Sequence, residues 1–484
     1  MKPEKKALEN TFFISLSWLI TTFVGFIFWL IAGKFLTQDE YGTALTSVTL
    51  GFFIISVITF GIPSALSKLI PEYLSEKKKV KITQLVSTAT LMIIITSAVT
   101  MFVFLIFKQK IMSLIKVSEN IYYLIIAYIF IGSVSTTFYT ITYGFQHIRK
   151  YFIVGAIASI IKVLIALLIL FLGFKHYGPI TGVLLSSIFT IVACYPRGLL
   201  KLKIFKIDLD LFKYAITGFI GAMVLSMLSN FQYTIVTILK SNFNTGIFGV
   251  AMMISSVIGA IPSILNTSIY PIVSGTFKTK SKKYIPILLN NTVRYSILIA
   301  IPLIIIFSIL SEFIVVTFSS YKFLDSAKLI PILSLATLFL NLSNIFTNTL
   351  YAIRRPRIYI KILLSIASLF LLLTIPLTIY YGELGMAIGY LIVSTIFMFT
   401  SFYNIKRFIR VEVNVFDILK ILAASLSFIT LYLLKPKSIT LITLSIALSF
   451  FAYFLILWFL KFFTKKDYMV MRELISKIKI LIQK

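Results

Sequence analysis

Lys162 is the residue in this chain best placed to do chemistry. It stands at the middle of an apolar run, 152–172, about 15 Å from either end at 1.5 Å rise per residue. A lysine stem does not easily snorkel that far. Gly155, Ser159, Lys162 and Ala166 recur at helical spacing, which predicts that the ammonium faces other helices and not lipid. A cation at a bilayer centre costs at least about 2.5–3.5 kcal/mol on insertion scales, so a chain that keeps one there has a use for it by default. Such an ammonium attracts anions. The competing readings are a lysine satisfied by carbonyls and hydroxyls, or a span shifted so that Lys162 lies nearer one face.

Neutral polar residues form the next set. Asn341, Asn344 and Asn348 fall at i, i+3 and i+7 in the run 328–351, and 208 positions earlier stand Ser133, Thr136 and Thr140. In the run 213–238, Ser226, Asn230, Tyr233 and Thr237 share a face, with Gln232 beside it. Amides and hydroxyls on inward faces suit a hydroxyl-rich ligand, and they equally suit hydrogen bonds between helices. Both readings stay open. Arg149, Arg294 and Arg355, the last within Arg354-Arg355-Pro356-Arg357, sit near span ends. They either fix topology against lipid phosphates or line a mouth that collects an anionic headgroup. Lys34 is the corresponding candidate at the opposite mouth. All sixteen carboxylates fall in loops or at span ends. One Cys excludes a disulfide framework, and two His without a partner motif argue against a metal site. No cofactor is expected.

The elements that must position these residues are membrane helices. Of 484 residues 59% are hydrophobic and 13% charged, with a mean hydropathy of +1.00, so the solvent for most of the chain is lipid. Fourteen runs are long enough to span, near 11–33, 43–66, 82–107, 121–145, 152–172, 178–196, 213–238, 247–272, 286–311, 328–351, 358–379, 385–404, 416–434 and 439–460. The first is too long for a signal-peptide core and lacks a small-residue cleavage site. The net charge of +30 sits in short loops, which points to topology and away from nucleic acid. With the N-terminus inside, 35 Lys and Arg fall on the inner segments and 10 on the outer ones. That bias predicts both termini in the cytoplasm. Outer loops are short, the longest near 108–120 and 312–327, and leave no room for an extramembrane catalytic domain, so an enzyme is not expected. In 462–484, Val470, Leu474, Ile478 and Leu481 fall on one helical face, which reads as a basic amphipathic tail on the inner leaflet.

Two stretches repeat. Glu40-Tyr41-Gly42 opens a run that closes with Gly61-Ile62-Pro63-Ser64-Ala65-Leu66. Gly246-Ile247-Phe248-Gly249 opens another, with Ala260-Ile261-Pro262-Ser263-Ile264-Leu265 near its end and Tyr270-Pro271 after it. The segment Tyr143–Tyr151 corresponds to Tyr351–Tyr359, and Tyr177-Gly178 to Tyr381-Gly382. Six spans separate the copies, an even number, so the halves run parallel. The division expected is 1–205, 206–410, a pair of further spans in 411–461, and the tail 462–484.

With Leu36-Thr-Gln-Asp-Glu40-Tyr41-Gly42 after the first span and Phe60-Gly61-Ile-Pro-Ser64 closing the second, this pattern resembles the multidrug/oligosaccharidyl-lipid/polysaccharide exporter superfamily. Within it, the chain is most similar to the polysaccharide transporters, the Wzx-type flippases of lipid-linked oligosaccharides. The resemblance implies an all-α integral membrane protein of about 14 transmembrane helices. Two six-helix lobes would form a V around a central cavity and work by alternating access, with two extra helices at the C-terminus. It implies a polyprenyl or dolichyl (pyro)phosphate-linked sugar as cargo in the cell membrane, with membrane lipids as partners and other polysaccharide-assembly proteins open as partners. Lys162, Arg149, Arg294 and Arg355 then become candidates for the phosphates, and Asn230, Gln232, Asn341 and Asn344 for the sugar. Cation-coupled drug antiporters of the same superfamily usually rely on an embedded acid, which this chain lacks. Many flippases of the type carry an acid in the seventh span, where this chain reads Asn230-Phe-Gln-Tyr-Thr234. A lipid II-type precursor is a further candidate cargo.

Overall fold

The computed structural model describes residues 3–200, 209–277, 284–412, 414–434, 439–464 and 467. The described chain is helical in the order α1 (Pro3–Phe35), α2 (Gln38–Ile58), α3 (Ile62–Ser75), α4 (Lys79–Ile106), α5 (Lys108–Ile115), α6 (Glu119–Gly144), α7 (Ile148–Ile169), α8 (Tyr177–Cys194), α9 (Leu209–Ser226), α10 (Gln232–Leu239), α11 (Asn242–Phe277), α12 (Tyr284–Ile309), α13 (Ser311–Phe318), α14 (Ile330–Ala352), α15 (Pro356–Lys406), α16 (Val415–Ser425), α17 (Ile429–Leu434) and α18 (Ile439–Phe459). The face of the bundle where α1 begins is called the near face below, and the opposite one the far face. Of the expected amphipathic tail, 462–484, residues 465–466 and 468–484 lie outside the described residues, as does the boundary expected at 205/206.

Twelve described helices are long and apolar enough to cross a membrane. The expected count of fourteen is not reached by that measure, and two places account for the difference. The 51 residues of α15 form one helical stretch, yet the stretch folds back on itself at Gly382, where φ is +62° and ψ −139°. That backbone region is essentially reserved for glycine. A β-carbon on Gly385 would lie 1.9 Å from the carbonyl oxygen of Leu377, and one on Gly389 3.0 Å from Thr374. In a straight helix residues 377 and 385 would stand about 12 Å apart, so α15 is a hairpin of two arms. The second place is α1, of which the apolar part counted is Ile20–Phe35.

Local chemistry sets the start and break of α2. Thr37 caps it, its Oγ1 accepting from the Glu40 amide at 3.3 Å while Glu40 Oε2 accepts from the Thr37 amide at 3.0 Å. This is the reciprocal box that a Thr-x-x-Glu spacing predicts. The helix stops at Ile58, the chain turns through Phe60 and Gly61, φ +46° and +68°, and α3 restarts with Pro63 in its first turn. The related stretch behaves differently: α11 runs unbroken through Pro262. Ala260 stands there in place of Gly61, and an alanine takes the left-handed conformation of Gly61 only at a cost that glycine does not pay.

Packing is polarised by helix face. On α7, Ile153, Ile157, Ile160, Leu164 and Leu168 are exposed while Gly155, Ser159 and Ala166 are buried. One large core joins α1 and the start of α2 to the later helices through Leu36, Tyr41, Phe248 and Phe323. A second fills the space between α3, α4, α6 and α9, around Leu66, Ile93, Phe138 and Ala215. The seam between α3 and α9 is tight: a β-carbon on Gly61 would lie 2.1 Å from the Ala215 carbonyl oxygen, and Lys68 Nζ sits 3.2 Å over the Tyr214 ring.

Candidate functional site

Lys162 lies on the buried face of α7, in line with Gly155, Ser159 and Ala166 and opposite the lipid-facing stripe. Two neighbours place it. A β-carbon on Gly182 of α8 would come 2.4 Å from the Lys162 carbonyl oxygen, so α8 is pressed against the main chain at this level. On the other side the side chain reaches α1, where a β-carbon on Gly25 would lie 3.9 Å from Nζ. The absence of a side chain at Gly25 leaves the ammonium its space. Among the described residues no hydrogen-bond acceptor or carboxylate pairs with it. Phe370, 208 positions on, is fully buried and apolar, so the cation has no counterpart in the second half.

The polar stripes divide. Asn341 accepts from Ser263 Oγ at 2.7 Å and donates to the Thr337 carbonyl at 2.8 Å, while Asn348 donates to Asn266 Oδ1 at 3.3 Å. The bonds to Ser263 and Asn266 join α14 to α11, and the one to Thr337 stays within α14. Asn344, between them and half-buried, makes no side-chain bond among the described residues. Asn230 donates to Ser226 and Ser229 at 3.2 and 3.1 Å. It lies in a π-helical turn, Met227–Phe231, that interrupts the span between α9 and α10; such turns frequently mark working positions. Gln232, just beyond, is fully buried, and its Oε1 has no partner. Thr234 on α10, with Thr378 and Tyr390 on the α15 hairpin that packs against it, likewise keeps a buried side-chain oxygen without a partner. The unmet capacity here is neutral.

The arginines separate by surroundings. Arg294 is not free at a mouth, and this corrects the expectation for it. Its Nε lies 3.1 Å from Asp417 and its Nη1 3.0 Å from Asp467, and it donates to the Phe462 carbonyl. It therefore ties α12 to α16 and to the segment after α18. Burial alone would raise the Asp467 pKa, but bonds from Tyr295, Thr464 and Arg294 outweigh it and hold the group at about 2, below the ordinary 3.8. Partners 123 and 173 positions away are invisible in sequence. Arg149 and Arg355 are exposed on the near face, the latter with its guanidinium 4.6 Å over the Phe408 ring. No described contact brings either to Lys162.

One feature escaped the sequence reading: the way the far face is closed. Gln38 donates its side-chain amide to the Lys322 carbonyl. Asn242, 204 positions later, donates its own to the Lys116 carbonyl at 2.7 Å, and Lys116 Nζ in turn reaches the Lys240 carbonyl. Four residues after each amide comes a glycine. A β-carbon on Gly42 would lie 1.8 Å from the Asn242 carbonyl oxygen, and one on Gly246 2.1 Å from that of Gln38. Thus α2 and α11 cross backbone to backbone, with Leu45 filling the space beside Gly249. Below the crossing a buried hydroxyl chain runs from Thr46 to Thr237 at 2.6 Å and on to Thr245 at 2.7 Å. The signal was present as an amide followed at i+4 by glycine, twice, 204 apart.

Known proteins are similar to this chain in sequence or in fold. Residues 7–277 match the family model described as polysaccharide biosynthesis protein. An uncharacterized membrane protein of Methanocaldococcus jannaschii is 25% identical over 418 residues, covering 80% of this chain and 82% of its own. Among solved structures, the lipid II flippase MurJ in an inward closed conformation superposes with a TM-score of 0.69 at 18% identity, covering 91% of this chain and 97% of that one. An inward-facing multidrug resistance MATE family transporter of the MOP superfamily gives 0.65 at 12% identity, covering 80% and 94%.

Proposed function

The chain belongs to the polysaccharide biosynthesis protein family, a membrane transporter of the flippase and exporter superfamily, and from that membership we propose a specific task. It carries a polyprenyl- or dolichyl-(pyro)phosphate-linked oligosaccharide from the inner to the outer leaflet of the cell membrane, by alternating access, with both termini in the cytoplasm. It acts as a transporter and not as an enzyme. Its partners are the lipid-linked cargo and the surrounding lipids, along with other membrane proteins of polysaccharide assembly.

The observation that carries this reading is Lys162. A cation without a carboxylate partner among the described residues, on the buried face of α7 and opposite an empty glycine face, keeps its charge available to a phosphate. In a low-dielectric site that attraction is far stronger than in water. Among the described residues every carboxylate stands near a helix end, at the bend of α15 or in a connection, which disfavours a cation-coupled antiporter on the same fold. Outward movement of an anionic head is driven by an inside-negative potential, by about 2.3 kcal/mol per charge per 100 mV, so no titrating acid is needed. The same cation would serve a lipid II-type precursor, and identifying the sugar-lipid that accumulates on the inner leaflet after depletion separates the two cargoes.

The test is export in cells depleted of the wild-type protein. Lys162→Ala is expected to lower sugar-lipid translocation while the protein inserts normally, and Lys162→Glu to abolish it. Wild-type export by both variants would remove the phosphate-binding role.

A further inference from the structure

Where the second arm of α15 ends and α16 begins, the near face holds an open cleft of about 830 Å³. Lys406, Arg407 and Arg410 stand in its wall within five residues. Arg355 arrives from the α14–α15 connection, its guanidinium seated on the ring of Phe408, which also lines the cleft. Arg407 lies 4.4 Å over the Tyr403 ring. The wall has one carboxylate, Glu412, and it is engaged by Arg410 at 2.8 Å. Among the described residues no carboxylate pairs with Arg355, Lys406 or Arg407.

Two apolar stripes lead away from this cleft towards the bilayer centre. On the second arm of α15, Ile392, Ile396, Phe399 and Tyr403 are exposed. From the start of α16 onward, Val415, Leu419, Leu422 and Leu426 are exposed in the same 4-3-4 rhythm. A topology signal alone requires cations and nothing else. Here the cations ring a concavity, two guanidiniums lie over aromatic rings, free of carboxylate partners among the described residues, and a lipid-facing track leaves on either side. A guanidinium edge suits two oxygens of a phosphodiester, and contact with a ring restricts the side chain beforehand, so less freedom is lost on binding.

We propose that this cleft is a binding site for an anionic membrane lipid of the near leaflet, its phosphodiester held by Arg355, Lys406 and Arg407 and its two apolar chains laid along the two stripes. The site is distinct from Lys162, which lies at the centre of its span, and it stands whatever the transported cargo is.

Native mass spectrometry of the full-length protein in neutral detergent tests it, with phosphatidylglycerol and phosphatidylcholine as probes. The expected result is retention of phosphatidylglycerol in preference to phosphatidylcholine. Each removed cation should weaken it about fivefold, so Lys406→Gln/Arg407→Gln weakens it about 25-fold and Arg355→Gln about fivefold. Lys77→Gln/Lys78→Gln, on the same face but outside the cleft, should leave it unchanged. The proposal is overturned if the cleft variants retain phosphatidylglycerol as the wild type does, if both lipids are held equally, or if the control pair weakens retention as much. Displacement by millimolar inorganic phosphate would also overturn it, since the site would then read free phosphate. Arg355→Gln, on a separate connection, keeps the question decidable should the double variant fold poorly.

Discussion

At the scale of single residues, the working charge depends on what is missing beside it. Gly25 presents no side chain to Lys162 Nζ, and that vacancy is as much part of the candidate site as the ammonium. An aspartate there would be within ion-pairing reach and would neutralise the cation from inside the protein. Gly25→Asp is therefore expected to lower translocation as strongly as Lys162→Ala, with normal insertion. Gly25→Ala, which adds one methyl at 3.9 Å and no charge, should be tolerated. Cell-based export assays on the pair check this, and equal activity of Gly25→Asp and wild type would break the link. The inward facing of Lys162 was legible in sequence because its stripe has a helical period. What lay across from it was not, since a glycine on another helix leaves no pattern near position 162.

At the scale of elements, Arg294 shows the opposite outcome. Sequence placed a cation near a span end, and structure gives it a joining task between α12, α16 and the segment after α18. Removing one member of a largely buried charged group leaves the others uncompensated, at a cost on the order of 3–5 kcal/mol. Arg294→Gln should accordingly lower the unfolding temperature of the purified protein markedly, while export at permissive temperature stays near wild type. A variant with normal stability and lost export would return Arg294 to the cargo path. The pH behaviour follows from Asp467. Its pKa is held at about 2, below the ordinary 3.8, so its contribution is fully present above the ordinary value and fades as pH falls through about 2. Unfolding midpoints should not vary on its account between pH 5 and 8. The capping box of α2 was readable because its partners are three residues apart. The hairpin in α15 was readable only as two spans, because the reversal rests on one glycine's backbone angles.

At the scale of the whole molecule, the proposed alternating access would require the far-face closure to open. The closure combines a few hydrogen bonds to main-chain carbonyls and one backbone crossing with the apolar contacts of Leu36, Tyr41, Phe248 and Phe323. Each bond to a neutral partner is worth about 0.5–1.5 kcal/mol, which suits a contact made and broken in every cycle. Gln38→Ala/Asn242→Ala should shift the population towards the far-open state. A cysteine placed at Thr46, beneath the crossing, would then be labelled faster by a membrane-impermeant thiol reagent than in the parent with both amides. Equal labelling would show that the amides do not hold this face shut. Carbonyl acceptors have no sequence signature, which is why the spans and the interior cation could be read from the chain and the partners of these amides could not.

The crossing of α2 and α11 has one further property. Leu45 and Gly249 stand 204 positions apart, the same interval that separates Gln38 from Asn242, and they meet each other. Two leucines there would collide and two glycines would leave a hole; the chain supplies one of each. The joint is keyed, like a tongue and its slot. A first half meeting the first half of another copy would bring tongue against tongue. Self-pairing is disfavoured at that point, and the slot arrives only with the second half of the same polypeptide.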